Sequence, residues 1–403
     1  MNLKLPLLLG CCLLVATTTC AGTSGSLGED APGKNKAEVY ITTADRQQSF
    51  NHITQEFSKV SASESVITIN PTVRYQEMDG FGAAVTGSTC YNLMQMTPTD
   101  RMKFLTETFS GKNGLGFSYI RISIGCSDFS LSEYTCCDTK GIENFALQTE
   151  EKEYVIPILK DILALNPTIK ILGSPWTCPK WMKVNNLEER KPFDSWTSGQ
   201  LNPDYYSDYA TYFVKWIQAF CEEGIEIYSV TPQNEPLNRG NSASLFMGWK
   251  EEQAFVRNAL GPAFKAAGLD TKIYAFDHNY NYDNMADQQE YPVRMYDDEV
   301  AAAFLTGAVD INRGDYKTMT YNSHYYIIGH LSSVVKPGAV RVESKGVDEK
   351  GLMYSAFENP DGTVAFVLLN EGNEETRLTV TDGKNYVDCV VPAKAVASYR
   401  WKK

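Results

Sequence analysis

Short apolar runs alternate with longer amphipathic segments between residues 81 and 276. The amphipathic segments are typical of helices; in residues 202–224 large apolar side chains recur every three or four positions between an Asn-Pro start and a glycine. The apolar runs are typical of buried strands and cover residues 81–85, 118–124, 170–174, 225–231 and 272–276. Strands that alternate with helices predict a parallel sheet of βα units, whose closed form is a (β/α)8 TIM-type barrel.

The pattern changes after residue 340, where short strand-like runs are separated by the turn signals Asn-Pro-Asp-Gly and Asp-Gly. This is typical of a small β-sandwich. Residues 65–71 also alternate like a strand, ending at Pro71, and are expected to join it. We therefore predict a sandwich segment at 38–76, a barrel at 77–337 and a C-terminal sandwich at 338–403.

The first 20 residues resemble a secretory signal, with a basic start at Lys4 and an apolar stretch over 5–16. That stretch is too short for a bilayer, which needs about 20 apolar residues. Cys20 precedes a small, polar segment, so lipid attachment through Cys20 and simple cleavage both stay open. We expect a flexible tether over 21–37 and a location outside the cell, at the outer surface or in the periplasm.

Charge and residue usage exclude several classes of function. The chain has 37 basic and 49 acidic residues, for a net charge of −12 and no basic run, which argues against nucleic-acid binding. Its four histidines form no i, i+4 pair and its cysteines form no C-x-x-C motif. We expect no metal, no cofactor and no transmembrane span, whereas a neutral sugar partner is compatible with the charge.

In a βα barrel the functional side chains lie at the carboxyl ends of the strands. Those ends carry Asp128, Trp176, Asn234 with Glu235, and Asp277 with His278. Glu235 lies between prolines directly after a buried run, where partial removal from water would let it hold and donate a proton. Asn234 could bind a sugar 2-hydroxyl. The alternative is an ordinary solvated loop.

Two further features support a sugar site. Trp176 and Trp181 lie on a proline-braced segment, and flat aromatic faces bury the apolar side of a sugar ring; simple packing is the alternative, stronger for Trp181. Arg121 alternates with isoleucines on its strand, so its charge points into the barrel and requires a carboxylate partner there. A purely structural ion pair would satisfy the same requirement.

Four motifs in order resemble glycoside hydrolase family 30, the glucosylceramidase-like family that includes bacterial endo-β-1,6-glucanases. They lie at residues 79–87 (DGFGAAVTG), 119–128 (YIRISIGCSD), 174–181 (SPWTCPKW) and 233–236 (QNEP). The resemblance implies a barrel with an attached β-sandwich and retaining hydrolysis of β-glucosidic bonds in β-1,6-glucan or glucosylceramide. It implies that Glu235 is the acid/base and that the other site residues contact glucose: Arg121, Asp128, Trp176, Asn234, Asp277 and His278.

The sequence departs from that family in one large respect. The family nucleophile is a glutamate in an apolar-Thr-Glu motif at the end of the seventh barrel strand, and this chain has no such segment. Only about 60 residues separate Asp277 from Pro337, too few for three more βα units of about 30 residues each. We expect an incomplete barrel of about five βα units plus its last helix.

Two hypotheses about function follow from this departure. The chain is either a β-glycosidase of this family or a glycan-binding remnant that has lost catalysis with its nucleophile. A purely structural β-sandwich protein would leave the tryptophan and Asn-Glu-Pro motifs unexplained. With the nucleophile missing, we expect negligible hydrolysis by this chain.

Overall fold

A computed structural model describes residue 33 and residues 35–278 and 308–403. The expected signal segment and nearly all of the expected tether lie outside these ranges. Strands of an α/β unit are β4 (Tyr119–Ser123), β5 (Lys170–Ser174), β6 (Lys183–Val184), β7 (Gln200–Leu201), β8 (Ser229–Val230), β9 (Lys272–Ile273), β10 (Val309–Ile311) and β11 (Met319–Tyr321). Strands of a β unit are β1 (Lys36–Thr43), β2 (Asn51–Glu56), β3 (Val66–Glu77), β12 (Val340–Lys345), β13 (Leu352–Glu358), β14 (Thr363–Asn370), β15 (Thr376–Thr381), β16 (Tyr386–Val391) and β17 (Ala395–Lys402).

The helices belong to the α/β unit. They are α1 (Gly87–Gln95), α2 (Pro98–Phe109), α3 (Ile156–Leu165), α4 (Tyr206–Glu222), α5 (Trp249–Phe255), α6 (Gly261–Ala267) and α7 (Ser323–Ser332). Thr97 accepts a hydrogen bond from the Asp100 N–H and Pro98 occupies the first turn of α2. The amphipathic pattern over 202–224 becomes α4.

The α/β unit is built on a parallel sheet in the order β4-β5-β8-β9. Ala84 adds a fifth parallel position through a bridge to Arg121 of β4. The sheet packs closely on α4 because residue 173 is glycine: a Cβ atom there would lie 2.8 Å from the Trp216 ring. The predicted α/β barrel class is confirmed, and the described part of the sheet is an incomplete ring.

Strand lengths differ from the sequence prediction in two ways. β8 and β9 are shorter than the apolar runs from which they were predicted, 225–231 and 272–276. β3 is longer, because it continues past Pro71 to Glu77 instead of ending there. Glu343 pairs with Asn70 while Val342 pairs with Arg74, so Pro71 falls in a bulge, where its missing N–H removes no ladder hydrogen bond.

The β unit is one nine-stranded sheet in the order β16-β15-β3-β12-β13-β14-β17-β1-β2. The sheet curls until its edges meet, since Ser58, just after β2, forms a bridge with Tyr386 of β16. The Ser58 hydroxyl also donates to Asp388 at 2.5 Å. The two halves of the curled sheet enclose a mainly aliphatic core that also contains the buried rings of Phe366, Tyr399 and Trp401.

A fully buried histidine on α7 joins the two units. His330 Nδ1 lies 2.9 Å from the Ser398 hydroxyl of β17 and Nε2 lies 2.8 Å from the Thr42 hydroxyl of β1. Burial lowers the pKa of His330 to about 3. The ring is therefore neutral in the folded chain at ordinary pH.

This burial predicts an acid-sensitive contribution to stability. In the unfolded chain the imidazole takes up its proton near pH 6.5, whereas in the folded chain it does so near pH 3, so stability falls as pH decreases between these values by about 1.4 kcal/mol per pH unit. His330→Gln removes this dependence while keeping polar groups for Thr42 and Ser398. Melting temperatures measured from about pH 7.5 to about pH 4.5 should decline less steeply for His330→Gln than for the wild type. Exposed His52→Gln is the control, and identical slopes for all three proteins would contradict the prediction.

Candidate active site

Arg121 connects three strand ends at the mouth of the parallel sheet. Its Nη2 atom donates to Ser174 Oγ at 2.9 Å, Asn234 Oδ1 at 2.8 Å and Asp277 Oδ2 at 2.6 Å. Asp277 is thus the carboxylate partner that the sequence requires for Arg121. Because the donors and acceptors come from β4, β5 and the segments after β8 and β9, the contacts fix the relative positions of four neighbouring strands.

The Asp277 carboxylate is fully engaged on one oxygen. Besides Arg121, Oδ2 accepts hydrogen bonds from Ser174 Oγ at 2.7 Å and Thr231 Oγ1 at 2.8 Å. A carboxylate that accepts three hydrogen bonds on one oxygen is held in one orientation. Asp277 therefore positions the side chains of Arg121, Ser174 and Thr231, and these contacts oppose its use as a substitute nucleophile.

Trp176 lies beside this network and Trp181 does not. Trp176 is 7% exposed, and the Arg121 guanidinium carbon lies 4.7 Å from the centre of its ring, a cation–π geometry. The Trp181 indole instead donates to the Cys137 carbonyl at 2.8 Å and packs edge-on against Tyr205. Trp181 is thus a packing residue. Of the two roles considered from the sequence, sugar binding and packing, the structure shows packing at this position.

Glu235 is held in an uncommon backbone conformation. Its φ of 42° is left-handed, as are those of Phe276 (82°) and Asp277 (38°). The Glu235 N–H donates to the Asp277 carbonyl at 2.9 Å, which ties the two strained segments together. Left-handed non-glycine residues cost free energy and cluster at functional sites, where the surrounding contacts maintain them.

The Glu235 side chain is half-buried, and one of its oxygens accepts two hydrogen bonds. Asn238 Nδ2 and Asn241 Nδ2 each lie 2.7 Å from Glu235 Oε2. Sequence reasoning missed both asparagines, because they lie in an irregular loop without periodicity. Ser174 and Thr231 were also missed, although their position at strand ends would have revealed them.

Asp128 and His278 complete the group of predicted site residues. Partial removal of its carboxyl from water raises the pKa of Asp128, with a further contribution from the Glu235 charge, while Trp176 and Arg121 oppose the rise. Burial lowers the pKa of His278, and the Glu235 and Asp277 charges oppose that change. The structure thus brings together all seven residues that the sequence singled out.

A buried lysine braces the segments behind this site. Lys183 is 2% exposed, and its ammonium contacts the backbone carbonyls of four residues: Ser195 (2.9 Å), Trp196 (3.1 Å), Ser198 (2.9 Å) and Ser244 (2.8 Å). Burial lowers the pKa of Lys183 to about 8, so it is still mainly an ammonium at neutral pH. It holds the 195–198 segment against the loop that carries Asn241.

Removal of the Lys183 charge should destabilise the chain. Lys183→Met fills similar volume but removes the ammonium donor from all four carbonyls; Trp196 keeps the Ser244 N–H, whereas the Ser244 carbonyl is left buried, so the change should cost at least about 2 kcal/mol. Thermal and urea unfolding measure the effect. Lys191→Met, at an exposed lysine on the same connection, is the control and should unfold like the wild type. If the two variants unfold alike, the bracing role is wrong.

Two classes of feature are missing from the described residues. No group of three or more histidine, cysteine, aspartate or glutamate side chains in residues 35–278 and 308–403 is arranged to hold a metal ion. In the same ranges, none of the helices has both the length and the apolar character that crossing a membrane requires.

The model of the glycosyl hydrolase family 30 TIM-barrel domain matches residues 78–323, and that of the family 30 beta sandwich domain matches residues 338–399. The chain belongs to glycoside hydrolase family 30. This confirms the resemblance stated from the four motifs. The family membership also agrees with the parallel sheet and the β unit described above.

Relatives in this family include two kinds of enzyme. An endo-1,6-beta-D-glucanase of Neurospora crassa is 36% identical over 229 residues, which cover 55% of this chain and 45% of that protein. The lysosomal acid glucosylceramidase of Mus musculus is 23% identical over 439 residues, covering 84% of each chain. The family 30 chain thus spans about half the length of the first of these relatives.

A solved structure is also similar. The endo-beta1,6-glucanase BT3312 is 52% identical, with a TM-score of 0.86 over 91% of this chain and 99% of that chain. The crystal structure of SrfJ from Salmonella typhimurium, at 20% identity and a TM-score of 0.78, shares the fold.

Proposed function

We propose that this family 30 chain binds β-1,6-linked glucan and cleaves its glucosidic bonds, with Glu235 as the proton donor. The observation that carries the proposal is the convergence of Glu235, Asn234, Trp176 and the Arg121–Asp277 pair at one end of the parallel sheet. An aromatic face, a hydroxyl-binding amide and a carboxyl group are the components that sugar recognition and acid catalysis require. The 52% identity with an endo-beta1,6-glucanase supports this choice of substrate.

In the proposed reaction Glu235 protonates the leaving glycosidic oxygen while a second carboxylate attacks the anomeric carbon; water then displaces that carboxylate, and Glu235 accepts the proton of the water. Asn234, whose carbonyl oxygen is held by Arg121, presents its amide nitrogen to the sugar, and Trp176 packs against the ring. Retention of configuration would require a second carboxyl group about 5–5.5 Å away that attacks the anomeric carbon. Asp277 is the neighbouring candidate, but its contacts with Arg121, Ser174 and Thr231 restrain it.

A second candidate function is glycan binding without turnover. The restrained Asp277 carboxylate favours this function. Asp277 is the neighbouring candidate for the nucleophile, and its Oδ2 atom already accepts three hydrogen bonds. Glucosylceramide is the alternative substrate, supported by the similarity to the mouse glucosylceramidase.

We also propose export to the cell surface, based on the apolar segment at 5–16 and the small, polar residues after Cys20.

Release of reducing sugar from β-1,6-glucan, measured beside calorimetric binding of β-1,6-gluco-oligosaccharides, separates these functions. Under the first proposal the wild type releases sugar, and Glu235→Gln lowers the rate by about 100-fold or more while binding persists, because only the transferable proton is lost. Trp176→Ala should weaken binding about tenfold or more. Lys191→Met, remote from the site, is the control.

The remaining outcomes are equally informative. Binding by the wild type without sugar release identifies the non-catalytic function. Hydrolysis of glucosylceramide in detergent, with none of β-1,6-glucan, identifies the lipid substrate. Absence of binding to either ligand, with the protein folded, contradicts the proposed function.

A further inference from the structure

The loop after Glu235 places two amide donors on a single carboxylate oxygen. Asn238 and Asn241 both contact Oε2, at 2.7 Å each, and among the described residues Oε1 accepts no hydrogen bond. Oε1 is also not among the buried polar atoms of the site, so it reaches solvent in the cleft. The two oxygens of one carboxyl group therefore have different surroundings.

The orientation of the Asn238 amide follows from its other contact. Asn238 Oδ1 accepts a hydrogen bond from the Gly240 N–H at 2.8 Å, so its amino group must be the end that faces Glu235. Asn241 donates to the same oxygen, since a carboxylate offers only acceptors. Both asparagines therefore present N–H donors to Oε2 of Glu235.

We infer that Asn238 and Asn241 are positioning residues for Glu235: by occupying Oε2 they make Oε1 the oxygen that carries the transferable proton. This rests on the proposed role of Glu235 as proton donor. A proton on Oε2 would face the N–H hydrogens of both amides, which lie 2.7 Å from that oxygen, so it would displace at least one of them. The two hydrogen bonds also stabilise the ionised carboxylate that remains after the proton has moved to the leaving oxygen.

The loop that carries the asparagines is fixed at both ends. The Asn238 N–H donates to the Glu235 carbonyl at 2.8 Å, which closes a tight turn, and the Met247 N–H donates to the Pro236 carbonyl at 2.8 Å. Ser244, further along, contacts the buried Lys183 ammonium. The amides are therefore held in place before any substrate arrives.

The charged and titratable groups around Glu235 come from several segments. Asp128 follows β4, Asp277 and His278 follow β9, and the Arg121 guanidinium reaches the adjacent Asn234 from β4. The substitutions below leave these groups in place. A change in Glu235 protonation can then be assigned to the asparagine amides.

The test measures the protonation of Glu235 directly. In protein labelled with ¹³C at the glutamate carboxyl carbon, the Glu235 resonance is the one missing from Glu235→Gln, and its chemical shift is followed against pH. Loss of a donor disfavours the ionised form, so the titration midpoint should rise by roughly half to one pH unit in each of Asn238→Ala and Asn241→Ala. Asn241→Asp, which adds a like charge, should raise it further, and Asn241→Ser, which keeps a donor, should recover part of the change.

Ser242→Ala is the matched control, because Ser242 lies in the same loop but donates to Glu133 at 2.6 Å rather than to Glu235. It should leave the midpoint unchanged. Should an alanine variant fail to fold, Asn238→Asp and Asn241→Asp carry the same comparison, because each replaces the amide donor with an acceptor. Midpoints that match those of Ser242→Ala in both asparagine variants would overturn the inference.

A kinetic comparison separates this inference from the proposed function. If the wild type hydrolyses glucan, Asn241→Ala should lower kcat/KM for unactivated β-1,6-gluco-oligosaccharides at least tenfold. It should change kcat/KM for 2,4-dinitrophenyl β-glucoside little, because cleavage of that leaving group needs no proton. Equal losses on both substrates would contradict the positioning role. A shifted midpoint in a protein that shows no hydrolysis supports the positioning and refutes the proposed catalysis.

Discussion

The contact between Arg121 and Asp277 organises the site of this family 30 chain. A guanidinium inside a strand bundle is stable only with a carboxylate partner, and Asp277 supplies it at 2.6 Å from the segment after β9, at the other end of the described four-stranded sheet from β4. The same two side chains hold Ser174, Thr231 and Asn234, so the pair determines where the sugar-binding amide lies. It also accounts for the restraint on Asp277, which makes that carboxylate a poor nucleophile.

Local sequence patterns predicted much of the architecture. The strand–helix alternation located the parallel sheet, and the amphipathic pattern over 202–224 located α4. The bulge at Pro71 was beyond local patterns, because it depends on the register with β12, which begins only at Val340. The closure of the β unit through Ser58 and Tyr386 was likewise beyond local patterns.

The site was predictable to a similar degree and for a similar reason. Residues at strand ends share a geometric rule, so Arg121, Trp176 and Glu235 could be placed near one another before the structure was known. Lys183 could not, since its carbonyl partners come from three-dimensional proximity of irregular segments. Asn238 and Asn241 belong to the same class, because an irregular loop offers no period from which a side-chain direction can be read.

The pairing of β1 with β17 has a consequence for how this family can vary. The β unit is assembled from both flanks of the α/β segment, with β1–β3 on one side and β12–β17 on the other. The α/β segment is therefore an insertion whose two ends are clamped by an independent hydrogen-bonded frame. Gain or loss of a βα unit inside that insertion changes the size of the inserted body but leaves every strand register of the frame intact, so the frame tolerates such rearrangement of the gene.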